Sequence, residues 1–139
     1  MVWENGTSTG DWSVSGLNST PNYSVLVSGA SITSPEIGLG GLESITINMR
    51  TYGGTSYNTI SVSANGNVIA SLQAANKSNL ADVTWNNGST LMGRAPLKFT
   101  SSTSTNQNGP GVASIIIKTK GISYSYGAYR TSCSETTLV

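Results

Sequence analysis

Histidine is absent from this 139-residue chain, so neither a Ser-His-Asp arrangement nor an imidazole metal ligand can be assembled from it. Of its six Asp and Glu residues, Glu36 and Glu43 form the one pair on adjoining segments that a glycosidase-type mechanism would draw on. Two solvated loop acids is the simpler reading, and an enzyme is not expected. The residue types favour recognition of a hydroxyl-rich ligand instead. Sugars present flat C–H faces and dense hydroxyls, so their sites combine aromatic platforms with Asn, Gln, Arg or Asp. Arg50, Tyr52, Tyr57 and Asn58 lie in or beside one loop and supply that set. Trp85 with Asn86 and Asn87 is a second candidate, and Gln107 with Asn108 a third. The competing reading of Tyr52 and Tyr57 is packing at a strand edge. For Trp3 and Trp12 it is packing in the core, where large aromatics dominate small domains.

The elements that must position the first candidate run from Glu43 to Leu72. Ile45, Ile47 and Met49 alternate with Thr46, Asn48 and Arg50, and Ile60 and Val62 alternate with Thr59, Ser61 and Ser63, the period of half-buried strands. Ala64-Asn65-Gly66 punctuates the second of these. Placing Val62 and Val68 on one face requires pairing 62 with 68 and 60 with 70 across a three-residue loop, with Gly66 left-handed.

Around this hairpin the chain reads as short strands and turns. Tyr23 to Val27 and Ala30 to Thr33 are strand candidates, and Pro35, which has no N–H, marks a strand end or an edge. Gln73 to Asp82 lacks an apolar stripe and reads as loop, followed by a short strand at Val83–Trp85. Leu97 and Phe99 share one face. Residues 101 to 110 read as a polar loop, and Val112 to Ile117 is the most apolar run, suited to a central strand covered on both sides. Ile122 to Tyr126 alternates again, and Gly127 to Val139 reads as a last strand or an exit linker. Strands recurring at this spacing without an amphipathic helix indicate a two-sheet antiparallel sandwich.

Composition sets the class. At this length one domain, residues 1–139, is expected, large enough to bury about two thirds of its unfolded surface. Charged residues make up 9% and the net charge is +1, with the seven cations scattered, so nucleic acid is not an expected partner. Cys133 stands alone and cannot form a disulfide within the chain. No signal peptide or membrane-spanning run is visible. Either the protein is cytoplasmic or phage-encoded, or it is a module excised from a longer exported chain; a composition rich in Ser, Thr, Asn and Gly, usual in extracellular β-rich modules, favours the second. The five Asn-x-Ser/Thr sequons at Asn5, Asn18, Asn22, Asn76 and Asn87 are about what such a composition yields by chance, and they carry no signal.

The order of motifs has a resemblance. Trp3-Glu4-Asn5-Gly6 with Trp12, then Ser34-Pro35-Glu36-Ile37, Ile45-Thr46-Ile47, Val62-Ser63-Ala64-Asn65-Gly66 and Gly111 to Ile117 together resemble the carbohydrate-binding-module-like and adhesion-type jelly rolls of bacterial exported proteins, notably of Bacteroidetes. The resemblance implies an all-β, two-sheet antiparallel jelly-roll sandwich acting as a non-catalytic carbohydrate-recognition or accessory module. Its partner would be a polysaccharide or glycan, with neighbouring domains or further copies also in play, and its location extracellular or at the cell surface. It also implies a structural calcium held by an early Glu and an acid before the final apolar strand. Here Glu4 and the nearby Asp11 are the metal candidates, but Ser114 stands where the later acid belongs. A hard cation wants six to eight oxygens, so no cofactor is expected unless calcium binds there. The alternative reading is a structural or adhesive module, such as a stalk, phage fibre or virion decoration domain, acting through assembly.

Overall fold

The computed structural model describes residues 7–8, 12–19, 22–52, 57–101 and 109–127. Glu4, Asp11, Gln107, Asn108 and Cys133 lie outside the described residues. The strands are β1 (Thr7–Ser8), β2 (Ser13–Ser15), β3 (Asn18–Ser19), β4 (Ser24–Val25), β5 (Ser31–Gly38), β6 (Leu42–Tyr52), β7 (Thr59–Ala64), β8 (Asn67–Gln73), β9 (Ala81–Asn86), β10 (Arg94–Ser101), β11 (Gly109–Thr119) and β12 (Ile122–Gly127), with one 3-10 turn at Leu39–Gly41.

The topology follows from one turn. Asn65 and Gly66 both adopt positive φ, 53° and 81°, the geometry a two-residue hairpin needs. About it the antiparallel pairs nest outward as β7·β8, β6·β9, β5·β10 and β4·β11. Ser61 meets Ser71, Thr46 meets Thr84, Thr33 meets Lys98 and Ser24 meets Val112, so each residue finds a partner almost equally far along the chain on the other side of the turn. Successive pairs fall in alternate sheets, one ordered β2-β5-β10-β7-β8, the other holding β9, β6 and β11 with β12 and β4. A long hairpin rolled up in this way is a jelly-roll sandwich. Its ladders are antiparallel except for β1, which adds a two-residue parallel pairing to β12.

Because β6 pairs with β11 from Gly109 to Thr119, β4 and β12 must share the other edge of β11, β4 at Gly111–Val112 and β12 from Ser114 onward. The handover falls at Ala113, which is bulged out of register with β6. Gly127 closes the gap there. A Cβ on it would stand 2.2 Å from the Ala113 carbonyl oxygen.

The core fills the space between the sheets. Ile45, Ile47, Met49, Ile115 and Ile117 from one sheet face Ile32, Ile60, Val62, Leu72, Leu97 and Phe99 from the other, all inaccessible or nearly so. Side chains of this size each contribute about 1.5–3 kcal/mol on burial. Trp12 seals one side, its ring 6.3 Å from Phe99 and 5.4 Å from Tyr126.

Several sequence expectations are corrected by the ladders. The central turn has two residues rather than three: Ala64 pairs with Asn67, Ser63 with Val68 and Val62 with Ala70. Ile69 is bulged, and Val68 is turned outward, 67% exposed. Pro35 lies inside β5 rather than at its end, and of the two expectations for it the edge holds, since among the described residues that side of β5 has no strand partner beyond Thr33. The proline is accommodated because Ser34 and Pro35 face Leu97 in a bulge, where the Leu97 N–H donates to Ser34 Oγ at 2.8 Å, and because β2 pairs with β5 only as far as Thr33. The segment read as loop up to Asp82 enters β9 at Ala81, and Gly109-Pro110, read as loop, opens β11. That strand is central, yet Ile116 on its outer face is 43% exposed, so at that level it is covered on one side only.

Candidate functional site

On β6 the inward residues Ile45, Ile47, Met49 and Thr51 are buried, so Arg50 and Tyr52 face outward at the end of the strand. Gly111 of β11 lies opposite Arg50. With no side chain at that position, the Tyr23 ring settles onto its backbone; a Cβ on Gly111 would meet Tyr23 Cδ1 at 2.7 Å. Tyr23 and Tyr52 make an edge-on pair, centroids 6.0 Å apart. The Arg50 guanidinium carbon sits 5.5 Å from the Tyr23 centroid and 6.0 Å from that of Tyr52.

Three donors of Arg50 are engaged by backbone: Nε donates to the Thr51 carbonyl at 3.0 Å, Nη1 to Ser78 at 2.8 Å and Nη2 to Lys77 at 3.0 Å. Arg50 thereby clamps the β8–β9 connection onto the end of β6. The connection is tied twice more, by the Thr51 N–H donating to the Asn76 carbonyl and the Ala74 N–H donating to the Asn58 carbonyl, both at 2.9 Å. Asn58 is fixed in turn, its N–H donating to the buried Thr51 Oγ1 at 2.9 Å and its Oδ1 accepting from the Tyr52 N–H at 3.3 Å. On this scaffold Tyr57 stands 46% exposed and Tyr52 36%, with the Lys77 ammonium 5.1 Å from the Tyr57 centroid.

Arg50, Tyr52, Tyr57 and Asn58 are thus brought together, with residues 53–56 between them outside the described residues. Sequence reasoning missed Tyr23 and Lys77, which topology delivers to the same place from β4 and from the β8–β9 connection. Trp85 and Asn86 belong elsewhere. They pair with Ile45 and Ser44, about 23–26 Å from Tyr52 along β6 at the usual strand rise, and they point to opposite faces. Trp85 turns inward against the core and Asn86 outward. Asn87 shapes the adjoining turn, its Nδ2 donating to the Leu42 carbonyl and its Oδ1 accepting from Ser89 N–H.

The described acids do not converge at the tyrosine end. Glu36 pairs with Arg94 at 3.1 Å, both side chains 60% exposed, beyond the opposite end of β6. Asp82 accepts from Asn48 Nδ2 at 2.8 Å on the outer face of β6 and β9. Among the described residues no three of His, Cys, Asp and Glu gather as a metal site would require. No helix among them is long and apolar enough to cross a membrane. What the tyrosine end offers chemically is two half-open rings on a hydrogen-bonded backing, beside two cationic side chains.

No protein-family model matches the chain, and no curated protein matches it. Among solved structures it is similar to a family 6 carbohydrate-binding module whose binding sub-sites were dissected by X-ray crystallography and isothermal titration calorimetry. The TM-score is 0.52 and the identity 15%, over 79% of this chain and 83% of that one. The likeness is one of fold, and it matches the jelly-roll architecture drawn from the sequence.

Proposed function

We propose that the chain is a non-catalytic carbohydrate-recognition module that holds a polysaccharide against Tyr52 and Tyr57, as part of an exported or surface-displayed protein of the kind the sequence resembles. The observation that carries the reading is the exposure of these two rings, 36% and 46%, on a backing fixed by Thr51, Asn58 and the Arg50 clamp. A ring held in place loses little conformational freedom when a sugar stacks on it, so more of the contact energy appears as affinity. Further support comes from the shared fold with a family 6 carbohydrate-binding module, and from a chain without histidine whose described acids lie apart. A glycan array followed by titration of each polysaccharide that binds tests the reading. Binding to at least one polysaccharide, weakened in a Tyr52→Ala, Tyr57→Ala double variant that keeps its fold, is the expected result. Unchanged binding in that variant would remove this end of the sandwich from the account.

A further inference from the structure

Tyr52 is not held by its own strand alone. Its ring stands at the end of β6, 36% exposed, and a tyrosine so placed keeps its rotamer freedom unless a neighbour takes it away. That neighbour is Tyr23. It comes from just before β4 and makes an edge-on contact with Tyr52, the centroids 6.0 Å apart and the rings inclined at 61°. The contact exists because of what β11 lacks opposite Arg50, where Gly111 stands. A Cβ there would fall 2.7 Å from Tyr23 Cδ1, 2.9 Å from its Cε1 and 3.4 Å from Arg50 Cγ. Gly111 does not adopt a positive φ, so its backbone conformation does not call for glycine. The room for the ring does. The Arg50 guanidinium, 5.5 Å from the Tyr23 centroid and 6.0 Å from that of Tyr52, joins the two rings into one packed group.

We infer that Tyr23 is a positioning residue for carbohydrate binding, that it acts through Tyr52, and that Gly111 is glycine in order to admit it; the inference rests on the carbohydrate-recognition reading. Tyr23 sets the plane of the Tyr52 ring in the free chain, so a sugar's C–H face meets a platform already in place. Immobilising a rotamer-rich side chain at a binding surface costs about two- to tenfold in affinity. Tyr23 removes that penalty without touching the sugar itself. Its effect on binding therefore exists only while the Tyr52 ring is present, which separates a positioning role from a direct contact.

The test titrates soluble xylan, β-glucan, galactomannan and pectin into the whole chain and, for each polymer that the wild type binds, into the Tyr23→Ala, Tyr23→Phe and Gly111→Ala variants, with circular dichroism as the control of fold. Tyr23→Ala and Gly111→Ala should each weaken binding by about two- to tenfold, and Tyr23→Phe, which keeps the ring, should bind as the wild type does. In a Tyr52→Ala background, Tyr23→Ala should cause no further loss. Relaxation of the Tyr52 ring C–H groups by NMR reports the same packing in the free chain, and the ring should become more mobile in Tyr23→Ala and Gly111→Ala but not in Tyr23→Phe. If Tyr23→Ala does not fold, Gly111→Ala decides, since the three atoms nearest its new methyl all belong to side chains. Unchanged affinity or unchanged Tyr52 ring mobility in the folded variants, an equal loss in Tyr23→Phe, or the same loss in the absence of the Tyr52 ring overturns the inference and leaves the glycan-binding reading standing. Binding of none of these polymers by the wild-type chain overturns both.

Discussion

Replacing Arg50 with Met keeps a long apolar stem and removes the guanidinium. Lost with it are three hydrogen bonds of 2.8–3.0 Å to the Thr51, Lys77 and Ser78 carbonyls and the contacts with the Tyr23 and Tyr52 rings. The freed carbonyls can be rewetted at this surface, so each hydrogen bond counts at the low end, about 0.5 kcal/mol, and each ring contact about 0.5 kcal/mol. Together the loss is about 2–3 kcal/mol. It falls on the local opening of the Gln73–Leu80 segment rather than on global unfolding, because the buried strands keep every contact they have. Hydrogen exchange read by NMR should therefore accelerate by about 30- to 150-fold, at tenfold per 1.4 kcal/mol, at the amides of Ala74 and Thr51, which bond to Asn58 and Asn76 across this connection. Amides of β10 and β11 should be unchanged. Acceleration below about threefold at Ala74 and Thr51 would show that Arg50 is not the clamp. Equal acceleration in β10 and β11 would show that it supports the whole sandwich.

The ladders lead to three further expected outcomes. Val62→Ala, at a fully buried position, should cost about 2 kcal/mol while Val68→Ala, 67% exposed, costs under about 0.5 kcal/mol; equal shifts in urea midpoint would contradict the bulge at Ile69. Ser34→Ala removes the acceptor of the Leu97 N–H in a buried bulge and should lower stability by about 1–3 kcal/mol; a neutral result by chemical denaturation would mean that water or another group replaces the hydroxyl. Gly127→Ala drives a methyl into the Ala113 carbonyl oxygen and the Ser114 backbone, and a loss above about 2 kcal/mol is expected. A melting temperature equal to wild type would show that β12 can shift away from β11.

Much of the fold was legible because strand alternation reports which face is buried. Ile45, Ile47, Met49, Ile60, Val62, Leu97 and Phe99, all expected on an apolar face, have no accessible surface. Bulges were not legible. The extra residue at Ile69, Ala113 or the Ser34-Pro35 pair leaves no mark on composition, yet each shifts the phase of the strand beyond it, which is why Val68 was expected beside Val62 and is instead outside. The tyrosine site was readable only as far as sequence proximity reached. Arg50, Tyr52, Tyr57 and Asn58 are neighbours along the chain, whereas Tyr23 and Lys77 arrive through pairing. A signal for Lys77 was present: folding the chain about Asn65-Gly66 carries residue 77 opposite the segment between Tyr52 and Tyr57. Trp85 and Asn86 looked like one unit because they are adjacent, although adjacency in a strand separates side chains onto opposite faces.

The central claim, that the exposed tyrosine end recognises carbohydrate, is tested most directly by titrating polysaccharides into the wild-type chain and the Tyr52→Ala, Tyr57→Ala variant, with circular dichroism and melting temperature as controls of fold. The account predicts binding that falls by about tenfold or more in the variant, the scale of two lost aromatic contacts of about 0.5–1.5 kcal/mol each, with an unchanged spectrum. Wild-type affinity retained in the folded variant, or no polysaccharide bound by the wild-type chain, would contradict it.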